Sequence, residues 1–248
     1  MRGLLILVAV AGCAFKGAGN PGDDSGDDSG DDQGDDTAVI DAGPGDPDAA
    51  PELPDADPPD PVTATFGERP TSDHGGTLDT YLDSTVPTTV LVTAFKLVAD
   101  GGDDQSTGIV RFDLTPIPPG SSITAAALEV YTITNGGGDE MELFVVNQPW
   151  DADATWEDSG LGPWLTPGAG PPSRAKTVVG SLDPSAGSTA YTIAITPAVI
   201  EAWVDDAESN LGFALVVVGG DGVELRSSNT SPSTVRPELT VTYVPPAL

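Results

Sequence analysis

The sequence contains a single imidazole, His74, and a single thiol, Cys13. Hydrolysis through a Ser or Cys nucleophile requires a base beside it, so chemistry of that kind has only His74 to run through. That residue lies in Thr71-Ser-Asp-His-Gly-Gly76, ahead of the first strong strand pattern, where a solvated loop side chain is expected. No Gly-x-Ser-x-Gly elbow, phosphate-cradling glycine loop or His-Glu-x-x-His helix is present. Two carboxyls at a fixed separation would suffice for glycoside hydrolysis. With 39 Asp and Glu in 248 residues such pairs arise by chance, and none is marked out. A lone Cys also rules out a disulfide framework within the chain. The chemistry expected is recognition without catalysis.

Recognition directs attention to the aromatic residues. A sugar presents C–H faces that pack on rings and hydroxyl rims that bond to carboxylates and amides, so a carbohydrate site wants an exposed Trp or Tyr beside polar groups. Trp164, in the turn-rich Gly160-Leu-Gly-Pro-Trp-Leu-Thr-Pro-Gly168, is the first candidate. Trp150 and Trp156, at the two ends of Trp150-Asp-Ala-Asp-Ala-Thr-Trp156, are the next. Tyr81, opposite in phase to Leu78, Thr80 and Leu82, is expected to face solvent. Calcium prefers hard oxygen ligands, and Asp79, Asp83 and Asp113 are the candidates for it, with Asp100, Asp103 and Asp104 close by in the chain. A structural calcium is the one cofactor this composition brings into view. A transition-metal site has too few soft ligands to draw on.

Short strands must position these residues. Val110, Phe112 and Leu114 alternate with Arg111 and Asp113, which predicts a strand with one buried and one wet face. The same period of two links Tyr191, Ile193 and Ile195, then Val223 and Leu225, then Leu239, Val241 and Tyr243. The unbroken apolar runs Leu143 to Val146 and Ala214 to Val218 predict interior strands covered on both faces. Turn residues separate the runs at Pro118-Pro119-Gly120, Asn135 to Gly138, Gly219 to Gly222 and Pro232. One helix interrupts them, with Thr196 as N-cap, Pro197 at its first position and an apolar stripe of Val199, Ile200, Trp203 and Val204 that ends near Asp206. Trp203 is expected to dock that helix onto an all-β, antiparallel sandwich.

Charge divides the chain. Residues 1–62 hold 15 acidic and 2 basic residues, and residues 63–248 hold 24 and 7, which together make the net charge of −30. Such a surface repels nucleic acid. From Asp23 the four-residue repeat Asp-Asp-Ser-Gly runs into the Pro-rich Pro51 to Pro61, and no aromatic lies between Phe15 and Phe66. The repeat lacks the alternate ligands and closing Glu of an EF-hand loop. A segment with so little apolar area is expected to be a disordered, extended linker, able to reach about 160 Å.

Ahead of it, residues 1–12 read as a signal peptide: Arg2, then the apolar Leu4 to Ala11. Val10-Ala-Gly-Cys13 resembles the bacterial lipobox, which implies acylation of Cys13 as a lipid anchor and a mature linker over residues 13–62. Several acyl chains on one residue hold a membrane firmly, and no apolar stretch reaches the roughly 20 residues of a spanning helix. The expected location is the outer face of the cell envelope, or the medium.

The body over residues 63–248 carries a family resemblance. Ile109-Val-Arg-Phe-Asp-Leu-Thr115 with Ile117-Pro-Pro-Gly-Ser-Ser-Ile-Thr-Ala-Ala-Ala-Leu-Glu-Val-Tyr131 resembles the central block of the DNRLRE domain, the disaggregatase-related repeat of carbohydrate-binding module family 96. Asp79-Thr-Tyr-Leu-Asp83 precedes it. Trp150 to Trp156, Ile195 to Trp203 with Asn210-Leu-Gly212, and Arg236-Pro-Glu-Leu-Thr-Val-Thr-Tyr243 follow in the family's order. The resemblance implies a jelly-roll-like β-sandwich on microbial surfaces that binds polysaccharide, with an acidic polymer known for some members. A net −17 opposes a polyanion at long range, so a neutral glycan fits at least as well. The other reading is a structural adhesin or matrix protein that contacts surface proteins and has no sugar site.

Overall fold

The computed structural model describes residues 59–247. The expected signal peptide, Cys13 and all but the end of the linker lie outside the described residues.

Eleven strands run β1 (Val62–Gly67), β2 (Thr77–Asp83), β3 (Lys96–Ala99), β4 (Ser106–Phe112), β5 (Ser122–Asn135), β6 (Met141–Val146), β7 (Arg174–Leu182), β8 (Ala190–Ile195), β9 (Phe213–Val217), β10 (Val223–Arg226) and β11 (Glu238–Val244). They form two antiparallel sheets. One is ordered β1-β11-β5-β10-β3 with β8 also paired to β5, and the other is ordered β2-β4-β9-β6-β7. The expected all-β sandwich is the fold. Phe66, Leu128, Ile193, Leu239 and Val241 of the first sheet meet Val110, Phe112, Leu143, Phe213 and Leu215 of the second in the main core. Val110 and Phe112, Phe213 and Leu215, and Leu239 and Val241 each stand two apart on their strand, because only side chains two apart share a face.

Helix α1 (Pro197–Asp205) follows β8 and closes one end of this core with Ile200, Trp203 and Val204. The Trp203 ring lies 4.8 Å from that of Phe213. Thr196 occupies the N-cap position but does not cap. Its hydroxyl donates to the Val179 carbonyl oxygen across 3.3 Å, tying the helix to β7.

The second sheet departs from the expected wet face. Its outer side carries Leu82, Ile109, Phe144, Val146 and Ala214, which are buried under residues 147–173 in a second apolar cluster. Strand β4 is therefore covered on both faces from Ser106 to Val110, and only its end, at Arg111 and Asp113, reaches water. Strands β6 and β9 are interior strands as their unbroken apolar runs predict. Val218 lies beyond the end of β9, before the Gly219-Gly220 turn, and is exposed.

Asp79 is the one deeply buried acid of β2, 1 % exposed and opposite Val110 on the side facing the first sheet. Oδ2 accepts the Ser228 amide N–H and Oδ1 the Ser228 hydroxyl, both at 2.7 Å. Ser228 follows β10, so this pair stitches the two sheets together. Burial pushes the Asp79 carboxyl up to about 6, against the opposing pull of the Ser228 hydrogen bonds and Arg236. In the unfolded chain the proton leaves near 3.8. Between those values the folded state binds more protons than the unfolded state, so stability falls as pH rises, and the full cost, about 3 kcal/mol, is present at neutrality. Asn at this position keeps an acceptor for the amide and a donor for the hydroxyl. Asp79→Asn is expected to flatten the decline in chemical-unfolding stability between pH 4 and pH 6.5 relative to the wild type. Parallel wild-type and variant profiles would remove Asp79 as its cause.

Candidate functional site

The four tryptophans take different roles. Trp150 is 2 % exposed, and its Nε1–H donates to the Leu211 carbonyl at 2.7 Å. Trp164 is 4 % exposed, and its Nε1–H donates to the Thr155 carbonyl at 2.8 Å. Both belong to the cluster that plugs the outer face of the second sheet. Neither offers a ring face to a sugar, so the expectation for these two is corrected: their turn-rich surroundings are a cover, and the rings point down into the sheet.

Trp156 is the tryptophan left half-open. Trp164 positions it, because the carbonyl bonded to the Trp164 indole belongs to the residue immediately before. Gly168 fixes it from the other side. The Gly168 N–H donates to the Trp156 carbonyl at 2.7 Å, its φ is +67°, and a Cβ there would stand 2.3 Å from the six-membered ring. Only glycine lets the backbone approach the indole that closely in that conformation.

Trp156 walls a cleft of about 310 Å³ whose other sides are Thr166 to Pro171, the start of β4 with Gln105 before it, Asp100, and Val216 to Val218. Arg174, the first residue of β7, reaches into it. Its guanidinium lies over the Phe144 ring at 5.2 Å, one terminal N–H donates to the Ala169 carbonyl at 3.1 Å, and Nε is buried without a protein partner. Burial pushes the Arg174 pKa below its ordinary value. Among the described residues only Arg69 and Lys96 form ion pairs, Arg69 with Glu129 and Glu238 and Lys96 with Glu224. Arg174 has no carboxylate partner in a body rich in carboxylates. One aromatic wall, a cation with N–H groups to offer, an amide and a hydroxyl form a polar cleft suited to hydroxyl-rich ligands.

The remaining candidates lie elsewhere. Tyr81 is half-buried and shares the inward phase of Asp79. Burial pushes its hydroxyl pKa up, Lys96 opposes this, and Asp83 and Glu224 add to it. It does not border the Trp156 cleft. The three calcium candidates are committed to protein donors. Asp79 holds Ser228, Asp83 Oδ1 accepts the amide and hydroxyl of Thr85 at 2.8 and 2.7 Å, and Asp113 Oδ1 accepts those of Thr115 at 3.0 and 2.7 Å. Among the described residues no three His, Cys, Asp or Glu side chains converge as a metal-binding group. His74 is half-buried and stacks on Phe66 at 5.1 Å, where its backbone pairs with β1, so the expected solvated side chain is a packed one. The sequence marks Trp156 as a candidate and does not mark Arg174. That residue follows Pro171-Pro-Ser173, and no local pattern reports a partner contributed by Phe144 on another strand.

A comparison with protein-family models finds no match for the chain, and a comparison with curated proteins finds none either.

Truncating a buried Trp costs about 3–5 kcal/mol. Trp164→Ala is therefore expected to lower unfolding free energy by that amount in urea titration, and Trp156→Ala by less than about half of it. Equal losses would mean that Trp156 is as much a part of the core as Trp164.

Proposed function

We propose that the sandwich is a non-catalytic carbohydrate-binding module, displayed on the outer face of the cell envelope by a lipid on Cys13, or released from it. The observation that carries this reading is the half-open Trp156 ring beside Arg174, Gln105 and Thr166 in one cleft. An indole face takes the apolar side of a pyranose, and the surrounding N–H, amide and hydroxyl groups take its rim.

The resemblance to the DNRLRE domain supports the reading through its order. Its blocks fall on β2, β4, β5, the Trp150–Trp156 segment, the β8–α1 junction and β11, and of these β4 and Trp156 border the cleft. The charge of the body favours neutral sugars, since a polyanion must approach against a net −17. Among the described residues no helix is long and apolar enough to cross a membrane. The lipobox-like Val10-Ala-Gly-Cys13 and the acidic linker support attachment by acyl chains.

Affinity electrophoresis in gels containing neutral or uronate-bearing polysaccharides tests the sugar site. The wild type is expected to be retarded by at least one neutral polysaccharide, with little change between low and high salt, and Trp156→Ala to abolish the retardation while its unfolding transition stays cooperative. Retardation that survives in both Trp156→Ala and Arg174→Gln would overturn the assignment. Failure of every glycan to retard the wild type would favour the adhesin reading. Acyl anchoring has a separate test: metabolic labelling with a radiolabelled fatty acid is expected to mark the wild type and not Cys13→Ser, and undiminished label in the variant would overturn it.

A further inference from the structure

A second cleft, of about 460 Å³, opens where β4 leaves the second sheet, and nothing in the sugar site uses it. Its floor is apolar: Leu78, Leu114, Ile117, Trp203 and Val204. Two charged residues, Arg111 and Asp113, also line it. Arg111 and Asp113 lie two residues apart on β4 and its extension, a spacing that puts both on one face roughly 7 Å apart along the backbone. They do not pair with each other, since no contact within 4.0 Å links them.

Arg111 is free in a stronger sense. Its guanidinium lies over the Trp150 ring at 5.4 Å, and among the described residues none of its N–H groups is bonded to protein. The ring holds the cation in place without consuming its donors. Asp113 keeps Oδ2 free while Oδ1 holds the Thr115 turn. Asn210 forms part of the wall. Its Nδ2 donates to the Phe112 carbonyl at 2.8 Å, and its buried Oδ1 has no protein partner.

A cation and an anion kept apart above an apolar floor complement a small ligand with the opposite arrangement. A simple anion gains from Arg111 but is repelled by Asp113 and by the net charge of the body. A simple cation meets the reverse at Arg111. A zwitterion satisfies both and carries no net charge through the surrounding field. We infer that this cleft binds a free α-amino acid with an apolar side chain, its carboxylate on Arg111 in the two-pronged geometry a guanidinium offers, its ammonium on Asp113, and its side chain on the Trp203 and Ile117 floor. This site stands apart from the sugar cleft and does not depend on it.

The test is titration of the isotope-labelled protein with L-phenylalanine or L-leucine, followed by amide chemical shifts. Saturable shifts are expected at Gly76, Thr115 and Asn210. Phenethylamine and 3-phenylpropionate, each lacking one charged end, are expected to bind at least tenfold more weakly. Arg111→Gln and Asp113→Asn should each weaken L-phenylalanine by a similar factor, and Asp113→Asn retains the Oδ1 that caps Thr115, so its fold is preserved. Arg174→Gln should leave the titration unchanged. Absence of saturable shifts with both amino acids, equal binding of 3-phenylpropionate, or wild-type affinity in Asp113→Asn would each overturn the inference.

Discussion

The outer face of the five-stranded sheet cannot be left to water. Leu82, Ile109, Phe144, Val146 and Ala214 present a continuous apolar surface there, and no helix or second sheet covers it. Burying such area is worth roughly 25 cal/mol per Å², so residues 147–173 are drawn down onto it with Trp150, Trp164 and Ala169 as their contacts. Loops of this length with no regular structure of their own are uncommon and often functional. Here the cover determines where function can reside. Both clefts lie at its margins, one bounded by Trp156 and Arg174 and the other by Arg111 stacked on Trp150.

Much of the sandwich was legible in the sequence because a strand's side chains alternate and a helix's repeat every three or four residues. Those periods placed β4, β8, β10, β11 and α1, and the unbroken apolar runs marked β6 and β9 as interior strands. The second cluster was not legible. Nothing local in Ile109 or Ala214 says which segment will cover them, and the Gly and Pro that shape residues 160–168 also mark a solvated turn. For that reason the sequence points to Trp164 ahead of Trp156, although the first is the plug and the second the half-open ring. Arg174 and Arg111 acquire meaning only through Phe144 and Trp150, which come from other parts of the chain. The hydroxyl of Thr196 shows the same limit on a smaller scale: its position in the sequence is that of a cap, yet a nearby strand carbonyl claims it.

Charge in this body is sorted by burial. Most carboxylates are left to water, where they cost little and keep the surface repulsive toward polyanions. Of the two paired bases, Lys96 joins β3 to Glu224 of the neighbouring β10. Arg69 joins Glu129 of β5 to Glu238 of β11 and also donates to the Arg236 carbonyl at 2.6 Å, so the segment between β1 and β2 is fastened to the first sheet. Asp79 is the exception among the acids, taken out of water to bridge the sheets. An acid used this way trades neutral-pH stability for a fixed position of the turn at Ser228, and it leaves the loop between β10 and β11 defined by hydrogen bonds more than by apolar contact.

Strands β1 and β11 are antiparallel partners along their whole length, with Val62 opposite Tyr243. The backbone thus comes into this body and goes out of it at neighbouring points on one rim. Tension applied through those two points would peel the ladder open one hydrogen bond after another, in the manner of a zip, and would not load the bonds together in shear. Pulled from both ends, the seam opens by peeling; held at the β1 end alone and pulled through a bound ligand, the load enters at an edge strand and passes to the sheet through its ladder with β11.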